Sequence, residues 1–387
     1  MIYLDNGATT YIKPKSVTKE MNRCMKKYGV NAGRGSYDLA LKAGEKMYEC
    51  REALAALLHI ENPENICFTK NTTEGLNTVI KGYLKEGDHC IISSLEHNSV
   101  LRPLFAMGNI SYDVAEGNPD GTFHLYSFKK LIQKNTKLIV CNHVSNVTGA
   151  IAPIDELIRL AHKKGIKVLI DGAQSAGILP IDLTATRADF FAFPGHKGLF
   201  GPMGMGGVYI REPGDIAPLT EGGTGSNSEL AEQPDIMPDK FESGTQNLPG
   251  IAGLHAGVSF LLKHGIQTIY EKEEMLTKEL LYGLLNMSHV TVYGPKTMRS
   301  HSGVISFNIN GLDCMQVCQT LDQKYHIMVR GGLHCSYLAH KTIGTLKSGT
   351  VRASLSFLNQ KHDIKKFLDA VNQICLLYTS PSPRDPK

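Results

Sequence analysis

Between residues 66 and 210, short apolar or β-branched runs alternate with stretches patterned as amphipathic helices, and this alternation restricts the fold more than any other feature. The runs are Ile66–Thr69, Cys90–Ser93, Ser111–Val114, Lys137–Cys141, Lys167–Ile170, Asp189–Phe193 and Gly207–Ile210. Helical patterns cover Thr73–Leu84, Ser99–Met107, Phe128–Lys134 and Ile154–Lys164. Alternation of this kind builds a layered α/β fold around a mostly parallel sheet. The expectation is a large α/β domain with a seven-stranded, mostly parallel sheet.

Beyond residue 248 the pattern changes. A long helical region from Gly250 to Leu285 leads to strands near Val290–Tyr293, Val304–Asn308, Ile327–Arg330 and Thr350–Ser356, then a helix at Asp363–Ile374. This predicts a smaller C-terminal α+β domain. The expected division is residues 13–250 for the large domain, and 1–12 with 251–376 for the small one. The Ser/Pro-rich end, LLYTSPSPRDPK, has no apolar periodicity, and residues 377–387 are expected to be a disordered or non-native tail.

With 387 residues, 42% of them hydrophobic, the chain can bury the cores of two domains. Its net charge of +4 is too small and scattered to suggest nucleic acid; the cluster Lys129, Lys130, Lys134 and Lys137 reads as a solvated helix face. No apolar stretch approaches the roughly 20 residues of a membrane span. The start, MIYLDNGATT, lacks a secretory pattern, and nine cysteines at irregular spacing read as reduced thiols, so a cytoplasmic location is expected.

Ligands of open α/β sheets bind beyond the carboxyl ends of the strands. Residues in that position here are Asn71-Thr72-Thr73 at a helix start, Glu96-His97, His143 to Asn146, Asp171 with Gln174, and His196-Lys197. Singly, each has an ordinary structural reading: a cap, a hydrogen-bonded histidine, a turn former, a solvated lysine. Together they offer a phosphate cradle, an acid, an imidazole and an amine. The glycine pattern of a dinucleotide site and the G-x-x-x-x-G-K-[ST] of a nucleotide-triphosphate loop are both missing. Cys314 and Cys318 lack further zinc ligands in reach. Pyridoxal phosphate fits the set, since it needs a lysine, an acid at its ring nitrogen and a phosphate pocket.

IDGAQSAG followed by FPGHK resembles the class V aminotransferase family of fold type I pyridoxal-phosphate enzymes. Within that family the chain is similar to the NifS/SufS-like cysteine desulfurases, nearest to their group II. YLDNGATT, NTTEGLN, EHNS, HVSNVTG, FESGTQNLPGIAGL, RGGLHC and GTVRASLSFLN follow in family order from residue 3 to about 359. The resemblance implies that Lys197 binds the cofactor covalently, Asp171 pairs with the ring nitrogen, Gln174 reaches the ring hydroxyl and His97 stacks on the ring. It gives Thr72, Thr73 and His196 to the phosphate, with Thr245 reaching the phosphate of a second subunit in a homodimer. Asn146 is expected beside ring and substrate, Arg352 as the clamp on the substrate carboxylate, and Cys335 as the sulfur-accepting nucleophile. Arg330 and His334 are candidates for lowering the thiol's pKa. The implied reaction converts L-cysteine to L-alanine, leaving a persulfide on Cys335 for an acceptor protein in iron–sulfur cluster or thio-cofactor synthesis.

Pro194 stands where group II members carry a serine whose hydroxyl helps hold phosphate, so another group must compensate. GGTGSNS, residues 222–228, is a candidate phosphate or lid contact. The glycines after Lys197 are expected to let the backbone pass close to cofactor and partner subunit. Competing readings are a selenocysteine lyase using the same residues, another class V aminotransferase or lyase that needs Lys197 but not Cys335, and a non-catalytic sulfur-relay scaffold.

Overall fold

A computed structural model describes residues 1–32, 35–214 and 216–379. The chain begins with β1 (Ile2–Tyr3), α1 (Lys15–Lys27) and α2 (Asp38–Leu58). The alternating region follows as β2 (Ile66–Thr69), α3 (Thr72–Tyr83), β3 (His89–Ser93), α4 (Asn98–Met107), β4 (Ser111–Ala115) and α5 (Leu125–Lys129). It continues with β5 (Thr136–Asn142), α6 (Ile154–His162), β6 (Lys167–Asp171), α7 (Leu183–Thr186), β7 (Phe190–Pro194) and β8 (Gly206–Ile210). After the excursion 211–247 come α8 (Leu248–His264), α9 (Ile266–Leu285), β9 (Val290–Tyr293) and β10 (Val304–Ile309). The chain closes with α10 (Cys314–Tyr325), β11 (Ile327–Met328), β12 (Arg330–Gly332), α11 (Tyr337–Thr342), β13 (Thr350–Ser354) and α12 (Lys361–Thr379).

The large sheet has seven strands in the order β2-β8-β7-β6-β5-β3-β4. Pairing is parallel from β7 through β4, whereas β8 runs antiparallel between β2 and β7. Successive side chains alternate between faces, and two separate cores show it. Ile91, Ile139, Val168, Ile170 and Phe191 pack with α2, α6 and α8. Cys90, Ile92, Leu138, Leu169 and Phe190 pack with α3 and α4 on the other face. Covering both faces is why these strands read as unbroken apolar runs.

The small domain is an antiparallel sheet, β12-β13-β10-β9, packed against α9, α10 and α12. The pair β1–β11 attaches the N-terminus to it, with Leu4 fully buried in the same core. The two cores divide within α9: Ile251, Leu254, Val258 and Ile269 belong with the large sheet, Leu276 and the residues after it with the small one. The packing therefore carries all of α8 into the large domain, beyond the expected boundary at residue 250.

Other differences have local causes. The helical region 250–285 is two helices, because Gly265 at φ 81° ends α8 and begins α9. The run Ile327–Arg330 splits into β11, paired with β1, and β12, paired with β13. The helix expected at Phe128–Lys134 lies earlier, at Leu125–Lys129, with Phe128 as its buried anchor. Helix α12 runs to Thr379, past the expected limit of 376, since the first breaker is Pro381. Residues 380–387 of the expected tail lie outside the described residues. Among the described residues no helix is long and apolar enough to cross a membrane.

Candidate active site

The strand order reverses direction at β3, which has β4 on one side and β5 on the other. Such a point opens a crevice at the carboxyl edge. A cavity of about 200 Å³ lies there, lined by Thr72, Thr73, His97, Asn146, Asp171, Gln174, His196, Lys197, Cys335 and Arg352. The large domain brings eight of these ten residues, from the ends of β2, β3, β5, β6 and β7, and the small domain brings Cys335 and Arg352.

Asp171 ends β6 and is 4% exposed. Its Oδ1 accepts the Ala173 N–H at 2.9 Å, and its Oδ2 has no hydrogen bond among the described residues. Burial raises its pKa, opposed by the Ala173 N–H and by the Lys197 charge. Gln174 donates to the Gly7 carbonyl at 2.9 Å, so the N-terminal segment fixes its amide. The same segment grips the turn before the lysine: Thr10 N–H and Lys13 Nζ both donate to the His196 carbonyl, at 3.0 and 3.3 Å. Thr9 Oγ1 lies 3.0 Å from His196 Nδ1.

Lys197 follows β7. Burial, then the charges of Arg352 and Arg330, lower its pKa to about 8, against the pull of Asp171. At neutral pH its amine is therefore far easier to deprotonate than a surface lysine. His97 caps α4, its Nδ1 accepting the Ser99 N–H at 3.1 Å. Burial and the neighbouring cations push its pKa down to about 4, which leaves a neutral ring in the cavity. Burial likewise lowers His196 to about 4.

Arg352, on β13, is 1% exposed. Its Nη2 donates to Asp5 Oδ1 at 2.9 Å and its Nη1 to the Asn146 carbonyl at 3.1 Å, while Nε has no partner among the described residues. Directly across the strand pair stands Arg330, which also lines the cavity. Two guanidinium groups make one end of the cavity strongly attractive to a carboxylate.

Several expectations change. His334 cannot be the cation beside Cys335: burial and the nearby arginines press its pKa to about 2, so it is neutral, with Nε2 on Thr350. Arg330 is left as the permanent charge. Asn146 does line the cavity, yet its side-chain amide is engaged by the residues flanking Cys335. The 222–228 loop stays away from the cavity; Thr224, Gly225 and Ser226 line another groove, where Ser226 donates to Asp239 at 2.5 Å. Thr245 also lines a separate groove, with Thr69 and Gln246, rather than the cavity of its own chain. The glycines beyond Lys197 serve the chain itself, since a Cβ on Gly198 would stand 2.4 Å from the Ala176 carbonyl oxygen.

Sequence reasoning missed Ser99. Its hydroxyl lies 2.7 Å from Thr73 Oγ1 and 2.8 Å from His97 Nδ1, on the cavity wall. Its position two residues after His97, at a helix start, was the available signal. It also missed Asp5, whose role as counter-charge to Arg352 joins residues at opposite ends of the chain.

The aminotransferase class-V family profile matches residues 2–367. The chain belongs to that family. A relative in Pyrococcus abyssi, a probable cysteine desulfurase, is 36% identical over 387 residues, covering 97% of this chain and 94% of the relative. A cysteine desulfurase of Escherichia coli is 34% identical over 389 residues, covering 97% and 93%. Among solved structures, the apo cysteine desulfurase of Thermococcus onnurineus superposes with a TM-score of 0.89 at 36% identity, covering 97% of this chain and 94% of that one. The fold is thus that of the fold type I enzymes, and the cavity stands at the domain junction of a class-V member.

Proposed function

We propose that the protein is a pyridoxal-phosphate-dependent cysteine desulfurase. The observation that carries this reading is one cavity lined at once by Lys197, Asp171, Arg352 and an exposed cysteine, Cys335. The donor set suits the cofactor. Asp171 keeps one carboxylate oxygen free for a ring N–H, the Lys197 amine has a lowered pKa, and the N-terminus of α3 with Thr72 and Thr73 supplies N–H and hydroxyl donors for phosphate. Ser99, hydrogen-bonded to Thr73, adds the hydroxyl that Pro194 lacks. When bound, pyridoxal phosphate supplies an electron sink for charge developing at the substrate's α-carbon.

The protein's own groups do the rest. Arg352 holds the substrate carboxylate, pre-aimed by Asp5 and the Asn146 carbonyl. Lys197 Nζ moves the α-proton, a task matched to an amine with a pKa near 8. His97, kept neutral, offers its flat ring to a planar ligand. Cys335 Sγ, as thiolate, accepts the sulfur of L-cysteine: a new S–S bond forms, the substrate C–S bond breaks, and its electron pair stays on carbon, which takes up a proton to give L-alanine. A persulfide on an exposed side chain is open to an acceptor protein. Thr245, turned away from its own cavity, supports a homodimer in which it serves the second site.

The test measures alanine from L-cysteine, and the sulfide that an added thiol reductant cleaves from the Cys335 persulfide, with the yellow, cofactor-loaded protein. Cys335→Ala should abolish sulfide while keeping the colour, and Lys197→Ala should lose both. Turnover of another amino acid that ignores Cys335→Ala would defeat the desulfurase reading, and faster release from L-selenocysteine would mark a selenocysteine lyase.

A further inference from the structure

The turn that carries Cys335 has an unusual backbone. His334 and Cys335 are consecutive non-glycine residues at φ 49° and 58°. Each such residue costs roughly 1 kcal/mol relative to ordinary conformations and persists only when its surroundings impose it.

What imposes it here is a set of hydrogen bonds from the large domain onto three successive residues. Asn146 Nδ2 donates to the His334 carbonyl at 2.8 Å. The Asn98 N–H, beside His97, donates to the Cys335 carbonyl at 2.8 Å. Ser336 Oγ donates to Asn146 Oδ1 at 2.7 Å. Ser336 is the N-cap residue of α11, where a serine oxygen ordinarily accepts a helix N–H, yet it makes no side-chain cap bond. Its hydroxyl has been diverted to Asn146. Ser336 is 0% exposed, so that bond is shielded from water, while Cys335 between the anchored residues stays exposed to the cavity.

We propose that Ser336 is a positioning residue for Cys335, closing with Asn146 a clamp that fixes the left-handed turn and aims the thiol into the cavity. The clamp rests on the reading of Cys335 as the sulfur-accepting thiol. It also joins that thiol to the carboxylate clamp, because the Asn146 carbonyl receives Arg352 Nη1. One asparagine thus sets the spacing between the group that holds the substrate and the group that takes its sulfur.

The test uses Ser336→Ala, Asn146→Ala and the double variant in the cofactor-loaded protein. Backbone amide hydrogen exchange across residues 333–337 is read beside the kinetics of sulfide release with an added thiol reductant that cleaves the persulfide. Losing one shielded hydrogen bond should speed exchange there about tenfold and lower kcat by a similar factor in Ser336→Ala. KM for L-cysteine and the cofactor absorbance should hold, since Ser336 touches neither. Exchange in the double variant should match that of Asn146→Ala alone, the two residues acting as one unit. Unchanged exchange in Ser336→Ala, or a rise in KM with kcat intact, would overturn the clamp. If wild type releases no sulfide, the desulfurase reading fails, while the exchange measurements still decide whether the clamp exists.

Discussion

Lys197 illustrates how a single group is tuned by neighbours on both domains. Burial and the arginines of the small domain lower its pKa to about 8, while Asp171 in the large domain resists. Only the neutral amine can attack the cofactor aldehyde, so apoprotein should take up pyridoxal phosphate faster as pH rises, levelling off above about 8. Asp171→Asn removes the opposing anion and should move that midpoint to lower pH; Arg352→Gln should move it higher. Stopped-flow absorbance of the three proteins checks the order, and a reversed order would show that the charges do not act on this amine. Arg352 itself should not tolerate lysine. A single ammonium cannot span Asp5, the Asn146 carbonyl and a substrate carboxylate, so Arg352→Lys is expected to raise KM for L-cysteine about tenfold with cofactor uptake retained.

At the scale of elements, the β7–β8 connection is set by how closely backbones approach. Gly198 lies against the Ala176 carbonyl, and a Cβ on Gly257 of α8 would stand 2.3 Å from the Leu199 oxygen. Neither neighbour is a side chain that can swing aside. Gly198→Ala should cost about 1–3 kcal/mol in urea unfolding and displace Lys197 next to it, seen as weakened cofactor affinity. The glycines were visible in the sequence, but the surfaces they admit were not, because Ala176 and α8 reach them only in the folded chain. The seven strands were legible for the opposite reason. Being covered on both faces, they announce themselves in local composition, as Val168–Leu169–Ile170 does between two cores. Helices α1 and α2 escaped notice: α1 is mostly charged and polar with only Val17 and Cys24 buried, and α2 mixes buried alanines and leucines with a buried Arg51, which blurs its apolar periodicity. The site residues at strand ends followed from the sheet rule. The neutrality of His334 and the double engagement of Asn146 did not, since both depend on burial and on a partner 188 residues away.

At the scale of the whole molecule, the domains meet along α9, and Glu273 stands at that junction. Its Oε1 accepts the Phe357 N–H at 2.7 Å, and its buried Oε2 has no partner among the described residues. Burial, opposed by the Phe357 N–H and the Lys272 charge, raises its pKa from 4.5 to about 8. Between those two values the folded chain holds a proton that the unfolded chain has released. Raising pH through that window therefore favours unfolding, by up to about 1.4 kcal/mol per pH unit for each such group. Glu96, buried where it accepts from Ser93 and the Asn142 N–H and also raised to about 8, adds a second contribution of the same sign. Glutamine keeps the shape and the acceptor for Phe357 but binds no proton in either state. Glu273→Gln should thus lose less stability than wild type between pH 5 and pH 8.5, and Glu96→Gln together with it should flatten the dependence further, because the two sites share no partner. Urea unfolding of the apoprotein at both pH values measures the slopes. Equal slopes in wild type and Glu273→Gln would mean that this carboxyl is already ionised in the folded chain, with an unseen donor at Oε2.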